Sequence, residues 1–191
     1  MTAIQRFKSA LQEHHIGQDI LAEIFAGYET ISDRSKKEKR AAFFIQAIER
    51  MEGLLDRELC HEIRDACACS KGGWRLKAMQ KIAKECEGQG IEQKLQAIGQ
   101  VTYMGNPVLN EDGTITAGIG DAGGVRCPCP VFDGVELDQA ISKTYCYCCA
   151  GHFRYHYQIA LSIKLKTREV VSSGLESRGK KPCRFVFEVL E

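Results

Sequence analysis

Proline is missing from the first 106 residues of this 191-residue chain; all four prolines, Pro107, Pro128, Pro130 and Pro182, lie beyond them. Nothing in that first stretch forbids regular helix. No long apolar run occurs either. The longest aliphatic or aromatic run, Ala41 to Ile45, falls far short of the ~20 residues that span a bilayer, which excludes a transmembrane helix and argues against a membrane partner. Neither sign of charge dominates. With 26 basic against 25 acidic residues the net charge is +1, which argues against nucleic acid as the main partner. At 44% hydrophobic and 27% charged residues the chain is not a disordered polymer. The N-terminus has charges every few residues and lacks the ~7–15 apolar residues of a signal peptide, so the expected location is the cytoplasm.

The length predicts a single domain over 1–191. Residues 1–100 read as mainly helical. Ile4, Phe7 and Leu11, then Ile20, Leu21, Ile24 and Phe25, suggest two short helices broken near Gly17. From Asp33, a candidate cap, to Leu55, the residues Ala41, Phe44, Ile45, Ile48, Met51 and Leu55 recur at helical spacing. Leu59, Ile63 and Ala66 mark a further helix, and the Gly72-Gly73 breaker separates it from one carrying Leu76, Met79, Ala83 and Cys86. A last helix is expected over Ile91 to Ile98.

Residues 101–191 read as mainly antiparallel β. Asp112-Gly113 between short apolar stretches is a hairpin signal. Ile163, Leu165 and Thr167 alternate with charged residues, as do Cys183, Phe185, Phe187 and Val189, the period of half-buried strands. One helix is expected near 150–161. The predicted class is therefore α+β, an N-terminal helical layer on a C-terminal antiparallel sheet with one long helix.

What the chain has in excess is cysteine, ten residues. At about 5% of the sequence this is below the ~8–10% of a disulfide scaffold, and in a reducing cytosol the choices are core residue, metal ligand or reactive thiol. Cys127-Pro-Cys129-Pro130 and Tyr145-Cys146-Tyr147-Cys148-Cys149-Ala-Gly-His152 put five cysteines close in sequence. Each cysteine before a proline is biased toward an extended backbone, so the first pair is presented stiffly. On a strand Cys146 and Cys148 would share a face, and the two segments together would offer four sulfurs to a tetrahedral metal. Cys127, Cys129, Cys146 and Cys148, with Cys149 and His152 as substitutes, are the expected ligands. Zinc is the expected ion because histidines are near, with an iron–sulfur cluster as the alternative.

If instead a helix starts near Ala150, Cys148 or Cys149 would be a thiolate nucleophile stabilised by its N-terminus. Cys67 and Cys69, just before the Gly-Gly break, would then be the resolving partners. His156 lies one turn beyond His152 and is a further pocket candidate, with core packing its plainer reading. Cys60, Cys86 and Cys183 sit on apolar faces and read first as core.

The last fifty residues, with a cysteine-led helix from Cys146 to Leu161, an extended segment through Val170 to Gly179 and a closing Pro182-Cys183-Arg184-Phe185, resemble the end of the vinyl-reductase sensor domains and of the aminothiazoline-carboxylate-hydrolase-like proteins. The cysteine layout as a whole is similar to uncharacterised cysteine-rich bacterial and archaeal relatives of that group. The resemblance implies helices on an antiparallel sheet around a small-molecule pocket, in a homodimer. It also places Cys183 among the candidates for the pocket. Taken together, the expectation is a cytosolic small-molecule-binding or sensory protein with a cysteine-rich zinc site. A metal- or thiol-dependent hydrolase of a small amide-like or cyclic substrate is one alternative, and a thiol redox protein another.

Overall fold

The computed structural model describes residues 1–69, 71–121 and 123–190. Six helices come first: α1 (Ala3–Glu13), α2 (Gln18–Ile24), α3 (Lys37–Leu54), α4 (Arg57–Ala66), α5 (Gly73–Glu85) and α6 (Ile91–Gly99). After them follow β1 (Val108–Leu109), β2 (Ile115–Ile119), the long helix α7 (Lys143–Leu161), β3 (Lys164–Ser172) and β4 (Cys183–Leu190). The strands form one antiparallel sheet in the order β1-β2-β4-β3. The fold is α+β, with helices packed on the sheet.

The hairpin expected at Asp112-Gly113 joins β1 to β2, with Val108 opposite Thr116. Gly113 takes a positive φ of 78° there, a conformation that suits a residue without Cβ. In β4 the inward face is Cys183, Phe185 and Phe187, all buried, whereas Val189 is 41% exposed. Phe185 meets Phe153 of α7 at 5.4 Å between ring centres, and Phe187 meets Tyr157 at 5.9 Å.

Helix α7 is the hub. It packs on α4, α5 and α6 as well as on β3, so it is covered on nearly every side. This explains the main difference from the sequence reading, which placed its start near residue 150. The helix begins seven residues earlier, at Lys143, with the Ser142 hydroxyl accepting from the Thr144 amide at 3.2 Å. Thr144, Tyr145, Cys146 and Tyr147 are buried. A helix buried all round carries no single apolar stripe, and its first two turns therefore imitate the alternation of a strand.

Asp33 also differs. Its carboxylate accepts from the Thr2 hydroxyl and from the Ile4 amide at 3.3 Å, so it closes the start of α1, while α3 begins after Lys36. A tertiary contact has claimed the cap. Among the described residues no helix is long and apolar enough to cross a membrane.

Candidate metal centre

The cysteines arrive at one end of α7 from four directions. Cys67 caps the C-terminus of α4, with Cys69 two residues on. Cys127 and Cys129 come from the loop before α7, Cys146, Cys148 and Cys149 from its first two turns, and Cys183 from the start of β4. The Gly151 backbone makes the junction with α4 close, since a Cβ there would strike the Asp65 carbonyl. All ten thiols are free. Cys60 is buried core, its thiol donating to the Met51 carbonyl at 3.4 Å, and Cys86 is half-buried at the end of α5.

Helical rather than strand geometry rearranges the expected foursome. Residues two apart on a helix point about 200° from one another. Cys146 accordingly turns away from Cys148 on the helix and has Cys127 and Cys183 among its further thiol neighbours. Cys148 instead faces Cys129, Cys69 and Cys67 around Arg64. Cys149 lies between the groups, with Cys69, Cys146 and Cys183 as neighbours. The expected ligands are thus brought to one region. Yet among the described residues no three His, Cys, Asp or Glu side chains stand close enough to hold one ion.

Burial dominates the electrostatics. It pushes the Cys127 thiol up to about 12, with Cys129, Cys183 and Asp133 adding to the effect. For the same first reason Cys146, Cys148 and Cys149 are held well above the usual thiol range. Cys148 and Cys149 sit in the second turn of α7, not at a helix start near Ala150. The amide dipoles invoked for a low-pKa nucleophile are therefore a turn away, and burial prevails. Near neutral pH burial therefore favours the protonated thiol at all four positions.

His152 is 6% exposed, and its Nδ1 lies 2.6 Å from the Cys69 carbonyl. A carbonyl only accepts, so Nδ1 carries the proton and Nε2 keeps its lone pair, the tautomer in which a second interaction orients a metal-ligating histidine. Burial lowers its pKa to about 4, with His156 and Arg75 acting in the same direction. His156 is fully buried and donates Nδ1–H to the His152 carbonyl at 2.8 Å, but its Nε2 has no partner. The packing reading of His156 accounts for only one of its nitrogens.

The unfolded chain takes up the His152 proton near its ordinary pKa of 6.5, whereas the folded chain resists to about 4. The protein should therefore lose stability as pH falls through that window, by up to about 1.4 kcal/mol per pH unit from this group. Denaturant titrations of the wild type and of His152→Gln between pH 7 and 4 test the effect. The variant should show the shallower pH slope, and equal slopes would remove His152 as its source.

Sequence reasoning missed Arg64. It is 2% exposed, and its Nη2 donates to the Tyr145 carbonyl at 3.1 Å while Nε has no partner. None of the ion pairs formed by the described residues includes it. The guanidinium instead lies 4.6 Å from the Tyr145 ring centre, 5.4 Å from that of Phe7 and 5.6 Å from that of Phe44. Burial weighs against its charge, but Cys67, Cys148, Tyr145 and Cys129 hold its pKa above the usual guanidinium value. A signal was present: Arg64 falls four residues after Cys60 and three before Cys67, a charge on the apolar stripe of α4.

Tyr145 extends the same group, its hydroxyl 3.2 Å from the Cys129 sulfur and its ring edge-on to Phe132 at 4.9 Å. Outside, a cleft of about 840 Å³ opens onto Cys127 and is lined also by Val125, Phe132, Leu175 and Arg178. No protein-family model, curated protein or solved structure matches this chain.

Proposed function

We propose that this is a small-molecule-binding or sensory protein built around a cysteine-ligated metal centre. The observation that carries the reading is Arg64. A guanidinium in low dielectric without a carboxylate is costly, whereas beside metal-bound thiolates it becomes their counter-charge. Three aromatic faces and a backbone carbonyl hold it among Cys67, Cys129 and Cys148. Thiolate donors suit soft metals, zinc and iron–sulfur clusters among them. The cleft at Cys127 supplies a path by which a small ligand in a cytosolic setting would reach the centre and alter its ligation.

Against the thiol nucleophile of the redox and hydrolase alternatives stand the place of Cys148 and Cys149 in the second turn of α7 and the desolvation there, which pushes their thiols up. Metal-assisted hydrolysis requires an open coordination position and is a variant of the same centre.

Thiol titration of the native protein tests the proposal. With metal bound, a strong chelator should release about four cysteines together into the reactive pool, because ligand thiolates are shielded until the metal leaves. Identical thiol reactivity with and without chelator, in protein as purified, would overturn it.

A further inference from the structure

The cleft beside Cys127 lies between two loops, residues 123–137 and 174–180. Main-chain contacts fasten them to each other. The Val125 amide donates to the Gly179 carbonyl at 3.2 Å, the Gly179 amide donates to the Gly174 carbonyl at 2.6 Å, and a Cβ on Gly124 would strike the Gly179 carbonyl. Loops joined in this way hold the cleft open in advance of any ligand, and its volume of about 840 Å³ falls within the ~300–1,000 Å³ of small-molecule sites.

The lining divides by polarity. Phe132 and Leu175, each 3% exposed, form an apolar floor, and the half-buried Val125, Val135 and Leu137 stand around it. The exposed charges are three cations against one acid, Glu136. Arg126 is already matched by Asp133 at 3.4 Å. Arg178 and Lys180 take part in none of the ion pairs formed by the described residues. Arg178 also holds a left-handed backbone, φ 54°, which residues other than glycine seldom adopt, and its amide is tied to the Leu175 carbonyl at 3.3 Å. Backbone strain of this kind collects where a side chain is placed for a ligand.

The cleft also adjoins the thiol region. Phe132 of its floor meets the Tyr145 ring edge-on at 4.9 Å, and Gly174 of its wall donates its amide to the Cys183 sulfur at 3.3 Å.

Resting on the small-molecule-binding reading, we infer that this cleft takes an amphipathic anion, a small molecule with an acidic head and an apolar body. The head lies between Arg178 and Lys180, and the body on Val125, Val135 and Leu137 above the floor. Two cations without counter-charges over an apolar lining favour that class. A neutral solute leaves the charges unused, and a cation is repelled by them.

Isothermal titration calorimetry of the full chain with hexanoate, hexan-1-ol and hexylammonium, which share a tail and differ in the head, tests the inference. Hexanoate should bind saturably, and the alcohol and the amine about tenfold more weakly or less still. Salt should weaken hexanoate alone, because exposed charges are screened. Arg178→Asn combined with Lys180→Gln should lose about tenfold in hexanoate affinity and leave the alcohol unchanged. Asparagine is among the residues that accept a positive φ, so the loop is kept. Arg126→Gln should change the affinity by less than about threefold, since Asp133 already balances that charge. No saturable hexanoate binding up to about 10 mM, equal binding of the three probes, or an affinity untouched by the double variant would each overturn the inference. Chelator-dependent thiol release is measured on the same protein without any probe, so the metal centre and the ligand class stand or fall separately.

Discussion

Arg64→Met should weaken metal binding by about 10–100-fold, the loss expected when a group that supports the ligands from behind is removed. The sign of its effect on the empty protein is the more telling half. Arg64 there is a buried cation without a carboxylate, compensated by one carbonyl and three ring faces. Methionine fills a similar volume without a charge, so metal-free Arg64→Met should be as stable as the wild type or more so. The metal-bound variant should be the less stable of the two loaded proteins, because binding adds to stability in proportion to affinity. Thermal melts of both proteins, loaded and empty, with a chelator competition for affinity, check both halves. A purely structural role for Arg64 predicts the reverse: lower stability when empty and unchanged affinity.

Asp65→Ala should cost about 3 kcal/mol of folding stability. Asp65 on α4 accepts from Arg154 of α7, with Nε at 3.0 Å and Nη2 closer, and from the Thr167 hydroxyl of β3. The aspartate side chain is 13% exposed and that of Arg154 25%, so this pair is far better shielded than the surface pairs Lys81–Glu85 and Arg168–Asp112. Removing the carboxylate strands a guanidinium and a hydroxyl at the meeting point of three elements. At 191 residues the loss corresponds to a fall of roughly 6–12 °C in Tm. Asp65→Asn should fall between the two, since the amide oxygen still accepts. A shift below about 2 °C for Asp65→Ala would show that water replaces the carboxylate without cost.

The two substitutions sit on adjacent residues of one helix, and they separate architecture from site. Arg64 points into the thiol region, while Asp65 ties the same helix to α7 and the sheet. Loss of Asp65 should leave metal affinity within a few-fold of wild type in the folded fraction, whereas loss of Arg64 should leave the junction intact.

Much of the fold could be read along the chain because local patterns decide it. The six helices before residue 100 are amphipathic, and their apolar residues recur at the spacing that a one-sided core imposes. The Gly72-Gly73 break, the turn at Asp112-Gly113 and the alternation of Cys183, Phe185 and Phe187 have local causes of the same kind. Residues close in sequence are enough to specify such features.

The site depended on contacts between distant residues. Around Tyr145 the alternation of aromatic and cysteine residues matched a strand, yet Phe44 of α3, Arg64 of α4 and Phe132 pack on that segment, which is buried as helix. Burial on every side removes the one-sided pattern from which a helix is read. That change moved Cys146 and Cys148 to opposite sides of α7 and brought Cys69, some sixty residues upstream of Cys129, into the same group. It also set the thiol pKa values, which follow from desolvation rather than from position along the chain. The sequence alone determined that this would be an α+β protein rich in free cysteine. Only the tertiary structure decided which cysteines face one another and that a lone guanidinium stands among them, because burial and electrostatic partnership depend on the packing of segments far apart in the chain.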